Sequence, residues 1–216
     1  MILALIVALA LPTQSAPPGE AWRVMHDAQH AIESGTDARF ERDWRAVAAR
    51  APLDRRATLA AATLALLRYR YERADSLYDR LLRGETGPTQ YTAAASLGMG
   101  LWRAIGSDVA RADTLLDRAK SDALAANEPQ IAFDALVNLA KLRDRRSGPK
   151  AAIELTRQAR IVGGRLGDEQ RAELLCAEGT FAEQIGDTTG RIRIVDGIAA
   201  ARRAGAPRDL GACELL

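Results

Sequence analysis

His26 and His30 stand four residues apart, a spacing that puts both imidazoles on one face of a helix, as helical zinc sites do. A hydrolytic zinc centre of that kind needs a glutamate where Asp27 stands, and a third ligand. The sequence contains two histidines in all. The pair is therefore read as surface or stacking side chains, and no metal, cofactor or catalytic residue is assigned.

Ser147-Gly148-Pro149-Lys150 has the serine-x-x-lysine spacing of penicillin-recognising enzymes. Those enzymes carry the serine and lysine on one helix beside two further motifs. Here Pro149 marks a turn and neither motif is present, so Ser147 is expected to cap a helix that starts near Pro149. Gly98-Met99-Gly100 and the run from Gly163 to Gly167 look like phosphate loops only superficially, because neither follows a strand and no Walker-type lysine-serine pair exists. They are read as close-packing and helix-stop glycines, with Gly100 expected where two helices approach closely.

Cys176 and Cys213 lie 37 positions apart, and two readings stay open. They could form a disulfide if exported, or remain buried thiols. The second is favoured, because equivalent helices in a stack lie about 8–10 Å apart at their axes and a bridge needs converging side chains.

One polar stripe remains. Asp134, Asn138, Lys141 and Arg145 fall at i, i+4, i+7 and i+11 of a helix expected over 129–146, with Leu136, Leu139, Ala140 and Leu142 supplying apolar positions. An amide and basic donors on one face form a candidate peptide-binding surface. The alternative is an ordinary solvated face.

These residues must be positioned by helices. Alanine, leucine, arginine and glutamate are abundant, aromatics are 5%, and all are good helix formers or compatible with close helix packing. With 48% hydrophobic residues and 27% charged ones the chain can bury a core. Its charges nearly cancel and alternate in sign, as in Arg143-Asp144-Arg145-Arg146, which argues against a nucleic-acid surface.

The segment Arg73-Ala74-Asp75-Ser76-Leu77-Tyr78-Asp79-Arg80 recurs as Arg111-Ala112-Asp113-Thr114-Leu115-Leu116-Asp117-Arg118, 38 residues later. Repeats of this period signal stacked supersecondary units. Anchors in phase fall at Phe40, Ala74, Ala112, Ala152 and Ile192, with apolar residues four and seven positions on, as in Trp44 and Val47 or Tyr78 and Leu81. Glycine and proline clusters separate the stripes. The reading is all-α: about ten helices in five hairpins, without strands.

This arrangement resembles the tetratricopeptide repeat family. Ala28, Ala31, Gly35, Trp44 and Pro52 of the first unit fall in phase with its pattern, whereas Phe40 stands where a small residue is expected. The 38- to 40-residue later units are similar to longer-helix variants in bacterial regulatory and signalling proteins. The resemblance covers residues 20–216 and implies a right-handed superhelical solenoid. It also implies a concave groove lined by the first helix of each hairpin, with Asn138 and Lys141 on groove-facing positions to hold a peptide or its carboxylate. Fold alone leaves the ligand open.

Residues 1–15 read as a secretory signal peptide, with an apolar run over 2–11 too short to span a bilayer, followed by a linker at 16–19. No lysine or arginine precedes the run. The expected product is periplasmic or secreted, without a membrane anchor after cleavage. The apolar Leu215-Leu216 end reads as a missing C-terminal cap. The functional expectation is a non-catalytic scaffold for a protein or peptide. The alternative is a sensory segment of a longer protein with a protease- or kinase-like effector beyond Leu216.

Overall fold

The computed structural model describes residues 19–106, 108–163, 167–205 and 213. Among the described residues ten helices follow one another: α1 (Glu20–Glu33), α2 (Asp37–Arg50), α3 (Arg55–Leu67), α4 (Tyr71–Arg83), α5 (Gln90–Ile105), α6 (Val109–Ala125), α7 (Pro129–Ser147), α8 (Pro149–Gly163), α9 (Asp168–Gln184) and α10 (Gly190–Ala204). Among the described residues there is no strand, and no helix is long and apolar enough to cross a membrane. The expected signal peptide, Gly164 and all of the expected C-terminal segment except Cys213 lie outside the described residues.

Local chemistry sets the boundaries. Asp54 caps α3 by accepting from the backbone N–H groups of Arg56 and Ala57 at 2.8 and 3.1 Å. Thr89 and Thr92 bond reciprocally across the start of α5. Four helices, α1, α3, α6 and α9, end in one kind of reversal, in which the second residue past the cap donates back to the carbonyl five positions earlier at 2.8–2.9 Å. The residue turned into the left-handed region is Gly35, Tyr69, Asn127 and Gly186 respectively.

Neighbouring helices pack in sequence order. From α3 to α7, each odd-numbered helix packs against its hairpin partner, the preceding even-numbered helix and the next odd-numbered helix. α5 and α7 consequently bury ten residues each. The even-numbered α4, α6 and α8 bury single stripes: Ala74, Tyr78 and Leu81; Ala112, Leu116, Ala119 and Ala123; Ala152, Leu155, Thr156 and Ala159.

The two glycines of α5 sit at close approaches. A Cβ on Gly98 would stand 2.3 Å from the buried Tyr78 ring, and one on Gly100 would stand 2.8 Å from Leu116. The fifth repeat anchor is Gly190, not Ile192. Gly190 is buried and faces Gly179 of α9 across a gap with no room for side chains, whereas Ile192 is 63% exposed. A search for apolar side chains passes over a helix seam built by removing them.

Ser147 is the last residue of α7 and does not cap α8. Gly148, at φ 82°, makes the reversal alone and leaves room for no separate capping residue before Pro149. Cys176 and Cys213 are joined in a disulfide, with Cα atoms 5.4 Å apart, so the favoured reading of two free thiols is corrected. The mean separation of stacked helix axes does not bound a local approach, and here the Cα atoms of the two cysteines come within the range a bridge requires.

The repeated aspartate carries an interaction that the motif comparison misses. Asp75 accepts from Arg103 of α5, and its repeat equivalent Asp113 accepts from Arg143 of α7 at 2.9 Å. Glu41, which follows the anchor Phe40, does the same with Arg68, the C-cap of α3, at 2.5 Å. Three successive second helices thus each hold the next first helix near its C-terminal end, through partly buried ion pairs.

Candidate interaction cleft

Helix α1 departs from the pattern of the later hairpins. It packs more extensively on α3 than on its own partner α2, and it also reaches α5. Its buried stripe is Ala21, Val24, Ala28 and Ala31, while α2 buries no residue fully. Small side chains let α1 lie close against its neighbours.

The start of α1 is tied down polar group by polar group. The Ala21 N–H donates to Gln90 of α5 at 2.9 Å, and Glu20 accepts from the Tyr91 hydroxyl at 2.6 Å. Trp22 Nε1 donates to Asp134 of α7 at 3.3 Å, and His26 Nε2 lies 3.9 Å from Glu169 of α9. α1 therefore packs on α3 and α5 and reaches the N-terminal halves of α7 and α9 through the Trp22 and His26 side chains.

The C-terminal halves of α3, α5, α7 and α9 are uncovered and enclose a cleft of about 690 Å³, within the roughly 300–1,000 Å³ of ordinary ligand sites. One wall is apolar and aromatic: Leu66, Leu67, Tyr69, Tyr71, Trp102 and Ile105. The Tyr71 and Trp102 rings stack at 5.1 Å, with Tyr69 edge-on to Tyr71 at 6.2 Å. Asp75 holds Trp102 by accepting from its indole N–H at 2.7 Å, and Arg103 lies over the same ring. The other wall carries Asn138, Lys141, Asp144, Arg145, Glu173 and Gln184.

Of the four stripe residues, the structure brings Asn138, Lys141 and Arg145 to this cleft and leaves Asp134 out of its lining. None of the three is a spare donor in full. Asn138 Nδ2 donates to the Asp134 carbonyl at 2.8 Å, Lys141 pairs with Glu173 at 2.7 Å, and Arg145 donates to the Ala104 carbonyl at the end of α5 at 3.2 Å. Lys141 and Arg145 thereby brace α7 against α9 and α5, while the Asn138 bond stays within α7. Among the described residues no hydrogen-bond partner reaches the buried Asp144 Oδ1.

Asp134 instead anchors α1. Burial pushes its carboxyl well above the usual carboxylate range; Glu173 and Glu169 push the same way, against the bond from Trp22 and the charge of Lys141. His26 stacks on Trp22 at 4.6 Å, and His30 is exposed. Among the described residues no group of three or more histidine, cysteine, aspartate or glutamate side chains is placed to hold a metal ion.

The aromatic wall escapes sequence reading because it is assembled from one helix end, one turn and the next helix start. Tyr69 and Tyr71 sit in what reads locally as a connection. No family model matches the chain, and no curated protein matches it.

Proposed function

We propose that the chain is a non-catalytic binding scaffold, a tetratricopeptide-like solenoid whose inner surface holds an amphipathic helical segment of a partner protein. The observation that carries this reading is α1 itself. One amphipathic helix already lies on part of the surface formed by the odd-numbered helices, packed on α3 and α5 and reaching α7 and α9 through Trp22 and His26, and beside it is an open cleft with one apolar and one polar wall. A partner helix would lay its apolar face on Leu66, Leu67 and Ile105 and turn its polar face to α7 and α9.

A non-catalytic role is supported by how the cleft's polar groups are used. Lys141 is neutralised by Glu173 and Arg145 is engaged by the Ala104 carbonyl, so both hold walls together, and Asn138 is engaged within α7. The Cys176–Cys213 disulfide supports export to an oxidising compartment. The paired surface charges support a protein partner over a nucleic acid.

Selection from a random displayed peptide library tests the assignment. Enriched peptides should carry apolar residues at helical spacing, and Ile105→Glu should weaken their binding by about tenfold or more, as for a central interface position. Ile105 is 77% exposed, so that change should leave the fold intact. A library that yields no binder, or binders indifferent to Ile105→Glu, overturns the assignment.

A further inference from the structure

Tyr69 is placed in the chain at a cost that folding does not explain. It occupies φ 59°, a left-handed conformation that side chains other than glycine, asparagine and aspartate adopt with a penalty of order 1–2 kcal/mol. The chain supplies its own controls. The reversals after α1, α6 and α9 have the same hydrogen-bond pattern, and there the left-handed residue is Gly35, Asn127 or Gly186. Three of four equivalent turns use a residue that the geometry favours, and the fourth uses a bulky aromatic.

Burial does not repay the penalty, since Tyr69 is 77% exposed. Its ring lies edge-on to Tyr71, which stacks on Trp102, so the three rings form a continuous aromatic edge ending in the cleft lining. Ile105, on the same apolar wall, is equally exposed. Strain at a bulky residue, exposure of a large ring and position at a cleft mouth are three separate observations. Together they assign the residue to a ligand and not to the fold.

We propose that Tyr69 is a specificity-determining residue of the cleft: its ring closes against a large apolar side chain of the bound helix and selects partners that carry one. The proposal rests on the partner-binding reading above and adds to it which residue discriminates. A tyrosine suits this task because a rigid ring with few torsions gives a large contact area for little lost entropy. The left-handed turn points it where a right-handed conformation would not.

The test uses the full chain, peptides selected on it, and the variants Tyr69→Asn, Tyr69→Phe and Ile105→Glu. Asparagine is what the chain itself uses at the equivalent turn after α6. Tyr69→Asn is expected to melt at the same temperature as the parent or roughly 2–4 °C higher, as strain is relieved. It should bind the selected peptides about tenfold more weakly. Tyr69→Phe should keep the affinity.

A second library selected on Tyr69→Asn should lose the preference for a large apolar residue at one position. If Tyr69→Asn binds as tightly as the parent while Ile105→Glu does not, the cleft reading stands and the role of Tyr69 is overturned. A fall in both melting temperature and affinity also overturns it, since the tyrosine is then structural. If no peptide is enriched on the parent chain, both proposals fall together.

Discussion

Asp134 shows how much one side chain can be asked to do where elements cross. It is the carboxylate that receives Trp22 from α1, yet it stands close to Glu173 and Glu169, and burial favours its neutral form. The sign of the resulting pH dependence follows from linkage. A carboxyl whose folded value is raised binds its proton more tightly in the folded chain, so it favours folding at low pH, and that contribution is lost as pH rises through the raised value. Glu128, raised by burial as well, acts in the same direction. Asp134→Asn keeps an oxygen for the Trp22 N–H and removes the charge. The variant should melt higher than the parent at neutral pH, by roughly 2–4 °C for each kcal/mol recovered. The gap should close as pH falls into the ordinary carboxylate range. Parallel melting profiles across that range would show that Asp134 is not the group responsible.

At the scale of elements, the acidic residue after each of the first three anchors does more than decorate the solvent face of its helix. Asp75 holds both the Arg103 guanidinium and the Trp102 indole, so it fixes α4 to α5 and the aromatic wall to both. Asp75→Ala should cost about 2 kcal/mol by leaving two partly buried donors unmatched, whereas Glu154→Ala, which removes an exposed pair with Arg157, should leave the melting temperature unchanged. Equal effects from the two would remove the distinction between this ladder and the surface pairs. Helix positions and apolar stripes are legible in sequence because glycine, proline and 3.6-residue periodicity act locally. The ladder is half legible: the recurring aspartate is visible, but its arginine lies 28 or 30 positions on, in a different element. The seat of α1 is not legible at all, since an amphipathic stripe of alanines fits its own hairpin partner or a neighbouring row equally well. The fifth anchor is lost for the opposite reason, because Gly190 offers no apolar signal to find. For the candidate site, the stripe on α7 places three of its four residues on the cleft, while the aromatic wall depends on a turn conformation at Tyr69 that its residue type argues against.

For the molecule as a whole, stability is distributed unevenly along the chain. The middle hairpins bury tyrosine, phenylalanine and leucine in one continuous core, whereas α10 rests on α9 through glycine and alanine: Gly190, Gly197, Ala200 and Ala201. Such a seam brings backbones close but removes little apolar surface from water, so its hydrophobic contribution is small. The disulfide compensates at this end. It joins Cys176 on α9 to Cys213, and the 37-residue separation closes a loop around α10. Restricting a loop of that size in the unfolded chain is worth about 3–4 kcal/mol on the chain-entropy account. Cys213→Ala should therefore lower the melting temperature by roughly 10 °C. If α10 frays independently, hydrogen exchange should rise first in Gly190–Ala204, while α5 and α7 stay protected. Because Cys176 also lines the cleft, the same variant asks whether this end must be closed for the cleft to bind. Unchanged melting and exchange in Cys213→Ala would mean that glycine-mediated packing alone secures α10, and the uneven distribution of stability argued here would be wrong.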